Sequence, residues 1–314
     1  MTLEPRVLIC GSMAFDTICV FQGRFGEHIV PGATHKINVS FLVENMRREF
    51  GGCAGNIAYT LNLLGGAAVI CATVGDDGAE YRERMARFGI GLDALTHIPG
   101  TLTANCHITT DLDDNQITSF HAGAMFQSQC IDVTSVDNIA LGIVAPDGRD
   151  GMFRHARGFA AKKVPFIFDP GQAMPAFSGD EIVELISMAD YLSVNDYEAE
   201  MIAQKTGRPI ESFAPALKAL IITLGAQGSR VYTQGKTVNV PVVPAPTLVD
   251  PTGCGDAFRA GLLYGIAHQW PVEKACKLGS LLGSIKIGER GGQNHAFTPA
   301  EIRAKFVETW REAW

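Results

Sequence analysis

From residue 139 onward the chain alternates between short apolar runs and stretches with helical spacing, and this alternation restricts the fold more than any other feature. IALGIVAP precedes a helix predicted from about residue 150, VPFIFDPG (164–171) precedes one from about 179, and YLSVN (191–195) runs straight into DYEAEMIAQKTG. LKALIITLG (217–225) is another apolar run, SRVYTQGKTVNVP (229–241) reads as a hairpin, and the chain after Gly255 is mostly helical. Strand–helix alternation on this scale predicts a parallel sheet with helices on both faces. Ligands of such sheets bind at the carboxyl ends of the strands.

The N-terminal part is less regular. RVLIC (6–10) ends in Gly11-Ser12, and DTICVF (16–21) is predicted to continue it as one buried strand through a glycine break. Residues 22–50 are polar, with short alternating pieces, and read as an excursion from the main domain. In GGCAGNIAYTLNLLGG (51–66), Ala54, Ile57, Ala58, Leu61 and Leu64 recur at helical spacing until Gly65-Gly66 ends the helix. AAVICATVG (67–75) is predicted as a strand and DGAEYRERMARFG (77–89) as a helix. ANCHITTD (104–111) and NQITSFHAG (115–123) flank an Asp-Asp-Asn turn and predict a hairpin that pairs with the excursion. The expected organisation is one α/β domain over 1–314, with a small β lid from about 22–50 and 104–123.

Composition narrows the function classes. A chain of 314 residues with 46% hydrophobic content can bury a large core. A net charge of −7 argues against a binder of nucleic acid, which would show a basic stripe. A small anionic ligand stays possible, because backbone dipoles bind anions within an acidic protein. The eight cysteines form no CxxC and no zinc-type cluster with histidine, and most lie in apolar runs. Free thiols of this kind fit a reducing cytoplasm. Glu4, Gly11, Ser12 and Asp16 interrupt any signal-peptide core, and no apolar run reaches the ~18 residues of a membrane span.

The stretch VDPTGCGDAF (249–258) carries the chemistry. Pro251, Thr252, Gly253, Cys254 and Gly255 stabilise no core, but small residues let backbone approach a ligand closely. A helix starting at Gly253 to Gly255 would leave N–H groups free as an anion hole, reinforced by its dipole. Asp256 would repel a phosphate, so it suits a different role, that of taking a proton from a hydroxyl that attacks that phosphate. The alternative is that Asp256 only caps the helix.

DPTGCGDAFRAG resembles the C-terminal signature of the PfkB, or ribokinase-like, family of sugar and nucleoside kinases. REFGGCAGNIAYTLNLLG (48–65) resembles its N-terminal glycine signature, about 200 residues earlier, as in the family. The resemblance covers essentially the whole chain. It implies a mostly parallel central sheet with helices on both faces, a small β lid, and ATP with Mg2+ as reactants. On this resemblance Asp256 is the catalytic base and the amides of Gly253, Cys254 and Gly255 receive the developing charge. Asp16, Gly51, Gly52 and Asn56 line the sugar pocket. Asn195 and Glu198 match the Asn-x-x-Glu motif that orders magnesium, mainly through water; they also spell a capping box. Thr223, Gly225 and Gly228 match the nucleotide loop. Asp250 and Thr252 match positions that hold a monovalent cation such as K+, with further ligands from GERGGQN (288–294); Pro251 departs from the Thr often found there. Neither GxxxxGK[ST] nor a GxGxxG after a strand occurs. A thiol at a helix N-terminus has a lowered pKa, so modification of Cys254 is expected to block activity.

Three features lean towards a nucleoside acceptor: Phe25, Phe41 and Phe50 in the excursion, Phe120 and Phe126 around the second hairpin, and the likeness of FLVENMRREFGGCAGNIAY to adenosine kinase-like members. An aromatic ring stacks on a nucleobase. The other reading of these rings is packing of lid on lid, in a homodimer. The expected activity is phosphorylation of a nucleoside, adenosine first, at its 5′-hydroxyl. The alternatives are a ribose or fructose kinase, and a ligand-binding protein without turnover.

Overall fold

The computed structural model describes residues 4–28, 39–113 and 115–314. Strands and helices follow one another as β1 (Arg6–Cys10), β2 (Ala14–Phe21), α1 (Phe25–His28), β3 (Val43–Gly51), α2 (Cys53–Leu63), β4 (Ala67–Val74), α3 (Ala79–Arg87), β5 (Gly91–His97), β6 (Ala104–Thr110), β7 (Gln116–His121) and β8 (Ile139–Val144). Then come α4 (Arg149–Lys162), β9 (Phe166–Phe168), α5 (Gly179–Met188), β10 (Tyr191–Asn195), α6 (Asp196–Thr206), β11 (Ala219–Thr223), β12 (Ser229–Thr233), β13 (Lys236–Val240), α7 (Cys254–Ala267), α8 (Val272–Lys286) and α9 (Pro299–Trp310).

Nine strands form one sheet in the order β13-β12-β11-β10-β9-β8-β1-β4-β5, with only β12 running against its neighbours. Alternate side chains of its strands point to opposite faces, and both faces are apolar. Val7, Ile9, Ile70, Ile143 and Ile221 meet Ile57 and Leu61 of α2, Leu262 of α7, Leu278 of α8 and Ile302 of α9. Leu8, Cys10, Val69, Val144 and Leu192 meet Met152 and Phe159 of α4, Ile182 of α5 and Ile202 of α6. Each such fully buried aliphatic side chain contributes about 1.5–3 kcal/mol. The sheet is the predicted one: mostly parallel, with helices on both faces.

Central strand β1 pairs in parallel with β4 on one side and β8 on the other. Strand order therefore reverses there, the position at which sheets of this kind take their ligands.

The second sheet is small, in the order β3-β2-β6-β7. It corrects two expectations. RVLIC and DTICVF are not one strand: β1 belongs to the large sheet and β2 to the small one, the chain changing sheets at Gly11–Met13. The hairpin β6–β7 does form, but it pairs with β2, which stands between it and the excursion strand β3. Registers set Glu49, Asp16, Cys106 and Phe120 side by side, so these four project from one face. Among the described residues, no helix is long and apolar enough to cross a membrane.

Candidate active site

Helix α7 starts with Gly253 as its N-cap at φ 77°, a left-handed conformation that suits glycine. The turn before it holds itself together: the Cys254 N–H donates to the Pro251 carbonyl at 3.1 Å, and the Thr252 N–H donates to Asp250 Oδ1 at 2.9 Å. The N–H groups of Gly253, Gly255 and Asp256 have no protein acceptor among the described residues. These three are the amides left free to face an anion. That corrects the expected trio of 253–255, because the Cys254 amide is spent on the turn. Helix α2 has no such cradle: its Cys53 and Ala54 amides donate to Ser12 Oγ and the Ser12 carbonyl at 3.1 and 2.9 Å.

Asp256 stands in the first turn of α7 and is buried. Its Oδ2 accepts from Asn56 Nδ2 at 2.8 Å, and its Oδ1 lies 3.6 Å from Arg259 Nη1. Its side chain makes no helix cap; both oxygens face neighbours on other elements or one turn along. Asn56 is held in turn by Gln293, whose Nε2 donates to Asn56 Oδ1 at 3.1 Å. The carboxylate is thus fixed in place by a chain of side chains from α2, α7 and the 288–294 loop.

Asp16 projects from β2 towards the same point. Burial, followed by the nearby charges of Asp250, Glu49 and Asp256, pushes its carboxyl up to about 6. The two glycines beside it serve the protein's own atoms. A Cβ at Gly51 would lie 2.5 Å from Asp16 Oδ2, and one at Gly52 would lie 2.6 Å from both the Ala14 nitrogen and the Ser12 oxygen. They let β3 and α2 close on β2, which brings Asp16 and Asn56 together.

A second group gathers at the ends of β9, β10 and β11. Asp169 is completely buried and paired with Arg259, with Nη2 donating to Oδ1 at 2.8 Å. Burial pushes the Asp169 carboxyl up, and the Arg259 guanidinium pulls against it. Asn195 and Glu198 form the capping box of α6: the Glu198 N–H donates to Asn195 Oδ1 at 2.7 Å, and the Asn195 N–H to Glu198 Oε2 at 2.8 Å. Each Glu198 oxygen accepts one hydrogen bond, which leaves lone pairs for metal-bound water; an all-oxygen donor set of this kind suits Mg2+. Thr223 is the register partner of Asn195. Gly225 follows at φ 54° with open space where a Cβ would point, whereas a Cβ at Gly228 would strike the Val240 carbonyl at 2.1 Å. Gly225 therefore leaves room for a ligand, while Gly228 is required by the β12–β13 backbone.

The expected cation ligands are engaged differently. Asp250 accepts from the N–H groups of Thr252 and Gly291, the latter at 2.8 Å. Burial alone would push its carboxyl up, but these bonds hold it below the ordinary range. The Asp250 carbonyl accepts from Lys286 Nζ at 2.9 Å, and so does the Glu289 carbonyl, also at 2.9 Å. Lys286 is fully buried. The Cys254 thiol is raised, not lowered: burial and the carboxylates of Asp250 and Asp256 outweigh Lys286. The expected reactivity of Cys254 loses its physical basis.

Of the candidate stacking rings, Phe120 is about half exposed on the Asp16 face of the small sheet and Phe126 is exposed too. Phe25 and Phe41 pack on each other at 4.8 Å and on Phe21, and Phe50 packs on Phe15 and Tyr81, so these three are internal packing. Sequence reasoning missed Asp169, Arg259 and Lys286, and it placed Gln293 only within the GERGGQN segment, not as the support of Asn56. The local signal for Arg259 was its position one turn after Asp256. It also missed that Cys10, Cys71 and His155 converge, with ligating atoms within 4.8 Å of one another. His155 lies on α4, and all three are buried, the two cysteines within the part of the core that packs on α4. A surface recess of about 470 Å3 lies between α4 and α5, but its arginines are committed: Arg149 to Asp150 and Glu181, Arg157 to Glu184.

Comparison with known proteins agrees with this geometry. A family model described as pfkB family carbohydrate kinase matches residues 22–299. A nucleoside kinase of Methanocaldococcus jannaschii is 28% identical over 260 residues, covering 82% of this chain and 85% of its own. The structure of a Burkholderia thailandensis nucleoside kinase in complex with inosine superposes with a TM-score of 0.89 at 48% identity, covering 98% of this chain and 99% of the other. The same enzyme in complex with ADP-inosine gives 0.86 at 49% identity, covering 98% and 97%.

Proposed function

The chain belongs to the pfkB family of carbohydrate kinases, and on that premise we propose that it transfers the γ-phosphoryl group of ATP to the 5′-hydroxyl of a purine nucleoside. One observation carries the reading: a buried carboxylate, Asp256, held by Asn56 beside three unpartnered amides at the start of α7. Phosphoryl transfer asks for little else than such positioning and charge stabilisation.

In this reading Asp256 accepts the hydroxyl proton as the oxygen attacks phosphorus. The amides of Gly253, Gly255 and Asp256 receive the charge that develops on the transferred group. Asn56 and Arg259 hold the two oxygens of Asp256 and so act as positioning residues. Asp16 accepts hydrogen bonds from ribose hydroxyls, and Phe120 on the same sheet face stacks on the base. Gly225 and Thr223 lie against the nucleotide donor. Asn195 and Glu198 would hold Mg2+ through its waters, and the ion would neutralise phosphate charge. The small sheet acts as a lid whose closure keeps water from competing as acceptor.

Adenosine is the acceptor that the N-terminal motif suggests, and the inosine complex of the Burkholderia relative adds a 6-oxopurine nucleoside. A panel of adenosine, inosine, cytidine, ribose and fructose, with ATP and Mg2+ and ADP release as readout, tests this. The expected outcome is turnover of the purine nucleosides and little with free sugars. Turnover of ribose or fructose without nucleosides would overturn the nucleoside assignment; ADP release with none of them would overturn the transfer reaction.

A further inference from the structure

The family resemblance implies a monovalent cation held by Asp250 and Thr252 together with the 288–294 segment, yet the residues present do not leave it a place. Lys286 is buried without exposure at the end of α8. Its Nζ donates to the carbonyl of Asp250 and to the carbonyl of Glu289, each at 2.9 Å. One acceptor belongs to the turn before α7 and the other to the 288–294 segment, so the ammonium bridges the two segments that a cation would bridge. The Asp250 carboxylate accepts the Thr252 amide on one oxygen and the Gly291 amide on the other, a second tie between the same two segments. The end of the lysine also reaches the cradle: a Cβ at Gly253 would lie 3.6 Å from Lys286 Cε.

We infer that Lys286 is a tethered cation that replaces the monovalent metal ion, so that the anion cradle of α7 is held in shape and biased for negative charge without K+. An alkylammonium carries the same single positive charge as K+ and donates to the same carbonyl oxygens. Burial lowers the Lys286 ammonium from its ordinary range, and the two carbonyls at 2.9 Å, with the nearby charges of Asp250, Glu289 and Asp256, pull against that loss. Lys286 touches no reacting atom and acts by positioning the turn. The inference deepens the kinase reading, and its thermal arm stands without it.

The test compares potassium, sodium and choline chlorides at equal ionic strength. The wild-type rate and Tm are expected to be the same in all three. Activation by potassium of about tenfold or more over choline would overturn the inference, as would a potassium-specific rise in wild-type Tm. In Lys286→Met the charge is gone and the carbonyls are vacant. Its turnover is expected to fall about tenfold or more in choline and to recover with potassium or ammonium, with a Tm that rises on adding potassium. A Lys286→Met enzyme at wild-type rate in choline would also overturn it. Should that variant fail to fold, the wild-type salt comparison decides the matter alone. If no acceptor is phosphorylated in any salt, the kinase reading has failed, while the two Tm comparisons still report on Lys286.

Discussion

Asp16 is the residue whose energetics most directly connect fold to substrate. It sits among Asp250, Glu49 and Asp256, and its carboxyl titrates near 6 in place of 3.8. Because the folded pKa lies above the ordinary one, the folded protein binds more protons between these values. Stability therefore falls as pH rises from about 4 to 6, and the whole cost is present above that window. Asp16→Asn removes the charge. It is expected to raise stability at pH 8 by about 1–3 kcal/mol, discounted for partial exposure, and to match wild type at pH 4. Denaturant titrations at the two pH values check this; equal stability at pH 8 would contradict it. The same ionised carboxylate is what ribose hydroxyls would satisfy, so the variant should lose nucleoside affinity while gaining stability, the trade expected of a strained site.

Among the elements, the turn from β3 into α2 does the most to assemble the site. Gly52 adopts φ 83°, and a Cβ there would meet the Ala14 nitrogen and the Ser12 oxygen at 2.6 Å. Left-handed backbone costs alanine about 1–2 kcal/mol by itself, and the collision adds to it. Gly52→Ala is expected to lose roughly 3 kcal/mol or more of stability, as urea unfolding would show; a loss below about 1 kcal/mol would mean the loop shifts freely. Helix α2 itself was legible in the sequence, because Ile57, Ala58 and Leu61 repeat at helical spacing and are buried as that spacing implies. So were α6, α7 and the apolar strands. Strand β5 was not: GLDALTH carries Asp93 and His97 and exists through its pairing with β4. Nor was the change of sheet after Cys10, since apolar runs on both sides of Gly11 look alike whichever sheet they join. In the site, Asp256 and the glycines of its turn were readable from local chemistry. The pair Asp169–Arg259 was not, because its partners stand 90 residues apart. Lys286 ends a helix and reads as a solvated lysine; the Glu289 carbonyl is local, and the tertiary fold brings in the Asp250 carbonyl 36 residues away and buries the group.

At the scale of the whole molecule, two sheets of different size bring acidic residues together, Asp16 from the small sheet within reach of Asp250 and Asp256. The large sheet supplies strand ends and the start of α7. The small sheet presents Asp16, Cys106 and Phe120 in one row. If Phe120 stacks on the base, Phe120→Ala is expected to raise KM for the nucleoside by the ~1–3 kcal/mol of one stacking contact, leaving KM for ATP unchanged. Equal effects on both would point to a general defect of closure. The most direct test of the whole account is the turnover of Asp256→Asn with ATP, Mg2+ and a purine nucleoside, measured beside its Tm. Loss of a general base predicts a kcat lower by about 10²–10⁴ with an essentially unchanged Tm. An Asp256→Asn enzyme that phosphorylates its nucleoside at near the wild-type rate would contradict it.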